Sequence, residues 1–147
     1  ATHSGIGSSL ISALVASKLS RDPGMHLALL DLDSAGSLDI YLNSPANSAF
    51  ASLLADPDNA DELLVQRAGN HLHERLTLFS SVLDIEAAEN QRRLFDQPER
   101  IQALTAKLAP QFSALCWDLP AAHNTTPLAL ALTVFLPIYS VKTKKII

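Results

Sequence analysis

The sequence predicts an α/β fold, a mostly parallel sheet with helices on both faces, on three observations. Short apolar runs alternate with longer segments of helical periodicity. Turn-forming Gly, Pro, Asn and Asp residues separate them. Two of the runs, 25–32 and 112–119, end in or beside aspartates, as buried parallel strands do when they deliver polar groups to one sheet edge.

The elements follow in order. Residues 8–19 carry Leu10, Ile11, Leu14, Val15 and Leu19 at helical spacing behind a glycine-containing loop. Asp22, Pro23 and Gly24 make a turn, and 25–32 is a nearly continuous apolar strand that runs into Asp31 and Asp33. Residues 34–48 read as a loop with a short helical turn, and 49–54 and 60–67 as two short amphipathic helices. A strand is expected at 76–80. Residues 86–109 place Leu94, Ile101, Leu104 and Leu108 at helical intervals, with Pro98 dividing the segment or opening its second helix. Residues 112–119 form the next strand, with Asp118 at its end and Pro120 beyond, and 133–141 a further one.

Composition narrows the function. A chain of 147 residues, 48% apolar and 18% charged, has the size and balance of one globular domain. A net charge of -4 and a pI near 5.6 give no electrostatic footprint for nucleic acid. The single cysteine, Cys116, excludes an internal disulfide framework, suits a reducing cytosol and reads as a buried thiol. The apolar run at 128–141 is shorter than the roughly 20 residues of a membrane helix and is interrupted by Pro137. The first ten residues have neither the basic nor the apolar region of a signal peptide.

In an open α/β sheet, ligands bind beyond the carboxyl ends of the strands. The loop at 2–9, the pair Asp31 and Asp33, and Asp118 would therefore converge on one crevice. Each has a plainer reading beside it. Asp31 and Asp33 would cap a turn, Asp118 would be a solvated strand end, and Ser9 would be a helix hydroxyl. His71 and His73 stand two apart, as metal ligands on a strand can, but no third ligand is near in sequence, and they read as surface polar residues. Trp117 reads as core, and Lys142, Lys144 and Lys145 as a solvated tail.

The order of these motifs resembles the MinD/ParA type of P-loop ATPase, whose phosphate loop reads Lys-Gly-Gly-x-Gly-Lys-Ser/Thr and whose second strand ends in Asp-x-Asp. His3 stands at the signature lysine, Ser4 at the first glycine and Ser8 at the phosphate-binding lysine, while Gly5, Gly7 and the hydroxyl of Ser9 are kept. Asp31-Leu32-Asp33 resembles the Asp-x-Asp motif, and LCWDLP at 115–120 the Walker B strand. The segments LLDLDSAGSLDIYL, AFASLLADPDNADELLVQRA, RLTLFSS and WDLPAAHN are similar, in order, to the CpaE/TadZ pilus-assembly branch.

The resemblance implies a nucleotide site for ATP or ADP with Mg2+, with Ser4, Gly5, Ile6, Gly7, Ser8, Ser9 and Leu10 around the phosphates. Ser9, Asp31 and Asp118 would hold the metal directly or through water, and Asp33 would be the catalytic residue. It also implies a homodimer that meets pilus and secretion proteins, cytoplasmic and recruited to the membrane's inner face at the cell pole. Backbone N–H groups and a helix N-terminus still favour phosphate without the lysines. Phosphoryl transfer needs cations against developing charge, so the expected protein is a scaffold with little or no turnover. Two alternatives stay open: an active ATPase switch with a cation supplied from elsewhere, or an interaction module that no longer binds nucleotide.

A phosphate loop hangs from a preceding strand, and only Ala1 and Thr2 precede this one. The expectation is therefore one partial domain at 1–147, incomplete at both ends, and the resemblance to the CpaE/TadZ branch implies a receiver-like domain in front of it, absent here. An unpaired sheet edge would then make this span marginally stable or self-associating.

Overall fold

A computed structural model of the chain describes residues 6–33, 38–81 and 84–119. Helix α1 (Ile6–Leu19) leads through the Asp22–Gly24 turn, where Gly24 N–H donates to Asp22 Oδ1 at 2.9 Å, into strand β1 (Leu27–Asp31). Short helices α2 (Leu38–Tyr41), α3 (Ser48–Ala55) and α4 (Glu62–Ala68) follow. Then come the hairpin β2 (Asn70–His73) and β3 (Leu76–Phe79), helices α5 (Ile85–Asp96) and α6 (Pro98–Leu108), and β4 (Ala114–Asp118). The expected strand at 133–141 lies outside the described residues.

The helix boundaries have local causes. Asn47 caps α3 by accepting the Ala49 N–H at 2.9 Å, and Asp61 caps α4 by accepting the Leu64 N–H at 2.7 Å. Pro98 sits at the start of α6, where its missing N–H costs nothing, so it opens the second helix. The last carbonyls of α3 receive a cation: Arg100 of α6 donates to Ala55 O at 2.9 Å.

The sheet order is β2-β3-β1-β4, with β1 parallel to both β3 and β4 and β2 antiparallel to β3. The sequence reading assigns no strand to β2. That segment offers Leu72 as its only large apolar residue and is half exposed, so it lacks a buried-strand pattern. Its pairing comes from the tertiary context. A Cβ on Gly69 would lie 2.5 Å from Thr77 Cγ2, so only glycine lets the chain enter the hairpin this close to β3.

Strand alternation divides the core into two layers. Ala28 and Leu30 of β1, with Leu32 just beyond it, Phe79 of β3 and Leu115 of β4 face α3–α6, where Phe50, Phe79 and Phe112 form an aromatic chain with centroids 5.6 and 5.7 Å apart. Leu27, Leu29, Leu76 and Leu78 face α1 and α2, meeting Ala13, Ala16 and Leu38.

Helix α1 reverses the expected amphipathicity. Its small residues Ser9, Ala13 and Ala16 are buried against the sheet, while Ile11 and Leu14 are each 61% exposed and Leu10, Val15 and Leu19 also face outward. Close approach of the helix backbone to the strands requires the small face inward. Cys116 and Trp117, expected in the core, are half-buried on β4, and burial pushes the Cys116 thiol pKa up.

Candidate functional site

Asp31 and Asp118 are register partners on the adjacent parallel strands β1 and β4. Side chains alternate along each strand, so both carboxylates fall on the α1 face, after Leu27 and Leu29 on β1 and after Ala114 and Cys116 on β4. Parallel neighbours lie about 4.8 Å apart, which brings the two carboxylates together at the carboxyl edge of the sheet. Both are buried, at 4% and 2% exposure.

Their electrostatics follow from that placement. Burial, and then the charge of Asp118, push the pKa of Asp31 from its ordinary 3.8 up to about 7, against the opposing backbone N–H groups of Asp33 and Leu38. The Asp33 N–H donates to Asp31 Oδ1 at 3.3 Å. Asp118 accepts from Ser12 of α1, Oγ to Oδ1, at 3.0 Å across 106 residues of sequence. Its other oxygen, Oδ2, is buried without a hydrogen-bond partner among the described residues.

The remaining sequence candidates fall around this pair. Helix α1 begins at Ile6, two residues before the expected start, so Gly7, Ser8 and Ser9 belong to its first turn rather than to a loop. The N–H groups of Ile6, Gly7 and Ser8 come before the first i to i−4 bond of the helix and carry the positive end of its dipole. Ser9 is 4% exposed and lies one turn from Ser12, on the face turned toward the sheet. Leu10 is 43% exposed and points away, which leaves it only a main-chain part in any phosphate site. His3, Ser4 and Gly5 lie outside the described residues. Asp33 is half-buried two residues past Asp31, and its main chain supports Asp31.

Ser12 is the residue that sequence reasoning passed over. Its signal was available: it shares a helix face with Ser9, Ala13 and Ala16, all small. What the sequence lacks is any sign that Asp118 comes to rest beneath that face.

His71 and His73 lie on β2, and both are engaged in the fold. His71 Nδ1 pairs with Thr77 Oγ1 at 3.0 Å, and His73 Nε2 with Ser20 Oγ at 3.0 Å. Among the described residues no three His, Cys, Asp or Glu side chains gather as a metal cluster, and no helix is long and apolar enough to cross a membrane. A cleft of about 330 Å³ lined by Ser48, Ser52, Asp84 and Asn90 lies between α3 and α5, on the opposite face of the sheet from the two carboxylates.

The architecture has a solved counterpart. The crystal structure of a ParA family ATPase from Chlorobium tepidum TLS superposes with a TM-score of 0.68 at 26% sequence identity, over 87% of this chain. The fold is MinD/ParA-like. This chain spans 52% of that ATPase. No protein-family model matches the sequence, and no curated protein matches it either.

The site fits a hard divalent cation. Mg2+ takes oxygen ligands, keeps several waters, and is commonly held by one or two carboxylates together with substrate phosphates. Here two buried carboxylates face each other, burial and then their mutual repulsion suppress ionisation of Asp31, and Asp118 presents an oxygen without a hydrogen-bond partner among the described residues. A divalent charge would relieve both conditions.

Proposed function

We propose that the chain is a nucleotide-binding scaffold that holds ATP or ADP with Mg2+ and turns it over slowly or not at all. The observation that carries this reading is the in-register pair Asp31 and Asp118, buried at the carboxyl edge of the sheet beneath the first turns of α1. The α1 N–H groups would bind phosphate oxygens through the dipole end of the helix. Asp118 Oδ2, Asp31 and the Ser9 hydroxyl would hold the Mg2+, directly or through water. When bound, Mg2+ supplies charge neutralisation at the phosphates.

Weak turnover follows from the chain's own residues. Ser8 and His3 stand where the resemblance places two lysines, so the loop offers no fixed ammonium to charge that develops in phosphoryl transfer. Asp33 remains the proposed catalytic carboxylate if any turnover occurs. The order of segments along the sequence further supports a CpaE/TadZ role: a homodimer that helps place a Flp/Tad-type pilus secretion machine at the cell pole, on the cytoplasmic side.

Titration calorimetry of the chain with ATP, with and without Mg2+, tests the reading. Micromolar, Mg2+-dependent binding with background hydrolysis is expected. Absence of binding at millimolar ATP would leave an interaction module without nucleotide. Steady turnover that disappears in Asp33→Ala would instead establish an active ATPase switch.

A further inference from the structure

A serine inside a helix ordinarily returns its hydroxyl to a carbonyl one turn back. This chain does so elsewhere: Thr105 Oγ1 donates to Ile101 O at 2.7 Å in α6, and Ser20 Oγ to Ser17 O at 3.0 Å at the end of α1. Ser12 does not. Its hydroxyl leaves the helix and donates to Asp118 Oδ1 at 3.0 Å.

That bond has a directional consequence. A carboxylate at a strand end has freedom about its terminal torsion, which is broad and roughly two-fold. Pinning Oδ1 to α1 fixes the carboxylate plane and decides where Oδ2 points. Oδ2 is the buried oxygen that has no hydrogen-bond partner among the described residues, an arrangement that is unfavourable when nothing compensates it. A hydroxyl carries one proton, so Ser12 satisfies Oδ1 alone and leaves Oδ2 open to another ligand.

We infer that Ser12 is a positioning residue of this site: by holding Asp118 through Oδ1 it presents Oδ2 to a divalent cation. The inference rests on the cation-binding reading above and adds to it the group that orients the ligand. Partners that orient a metal ligand typically change metal affinity 10- to 100-fold when removed.

The experiment is a Mn2+ titration followed by electron paramagnetic resonance, with Mg2+ competition, on the wild-type chain and on Ser12→Ala, Ser12→Thr and Asp118→Asn. Ser12→Ala is expected to weaken Mn2+ at least about 10-fold, Ser12→Thr to restore affinity to within about threefold, and Asp118→Asn to lose it. A merely structural hydroxyl would change the urea midpoint and leave the affinity of the folded protein alone. If the wild type binds and Asp118→Asn does not, while Ser12→Ala stays within twofold of wild type, the inference is overturned and the cation site stands. If the wild type itself takes up no Mn2+, both fall. Should Ser12→Ala fail to fold, Ser12→Cys carries the test with its weaker donor, and an unchanged affinity there overturns the inference equally.

Discussion

Replacing Asp31 with asparagine should stabilise the protein at neutral and alkaline pH in the absence of divalent cations, although it removes a residue of the proposed site. Asp31 is 4% exposed, and its pKa rises from 3.8 to about 7 because burial and the Asp118 charge oppose its ionisation. Between those two values the unfolded chain has released the proton and the folded chain has kept it. The folded state binds more protons, so stability falls as pH rises from about 4 to about 7 and then levels off. Roughly three pKa units at about 1.36 kcal/mol each set a ceiling of about 4 kcal/mol on the loss. An amide carries no charge to desolvate and can still accept from the Asp33 N–H. Asp31→Asn should therefore exceed wild type by about 2–4 kcal/mol at pH 8, and the difference should shrink toward zero as pH falls below about 4. Urea unfolding followed by circular dichroism, in chelator at half-unit pH steps, measures this directly. Asp118→Asn should act in the same direction by a smaller amount, since the Asp118 charge is the second cause of the shift. A wild-type minus Asp31→Asn difference that is equal at pH 5 and pH 8, or that favours wild type as pH rises, would refute the reasoning. Millimolar Mg2+ should raise the wild-type midpoint at pH 8 and leave that of Asp31→Asn in place.

Other predictions rest on the fold around the site. Gly69→Ala should cost about 1–3 kcal/mol in urea unfolding, because its Cβ would meet Thr77 Cγ2 at 2.5 Å and Phe79 Cζ at 3.0 Å; a loss under about 0.5 kcal/mol would mean the hairpin shifts freely. Asn47→Ala should cost about 2 kcal/mol, since one side chain caps α3 and also donates to Arg67 O at 2.7 Å and Asn70 Oδ1 at 3.0 Å. Asn47→Asp, which keeps the cap and loses the donors, should fall between wild type and alanine on the same measurement. For nucleotide, Mg2+-dependent ATP binding by calorimetry should drop in Asp118→Ala by at least about 10-fold, and an unchanged affinity would move the metal away from this carboxylate.

The local elements were legible in the sequence because each has a short-range cause. Continuous apolar runs marked β1, β3 and β4, and Pro98 and the Asp22–Gly24 turn marked boundaries that depend on side chain and backbone within a few residues. The convergence of Asp31 and Asp118 was also foreseeable, since parallel strands present their carboxyl ends to one edge. Tertiary structure decided the rest. Asn70–His73 pairs as a strand because β3 offers an edge beside Gly69, and no local pattern records that edge. The large apolar side chains of α1 turn outward because the helix approaches the sheet through serine and alanine, a choice of face that periodicity alone leaves open. The bond from Ser12 to Asp118 spans 106 residues, and the pKa of Asp31 depends on burial and on a charge carried by another strand. Such terms arise only when distant segments exclude water from the same few ångströms.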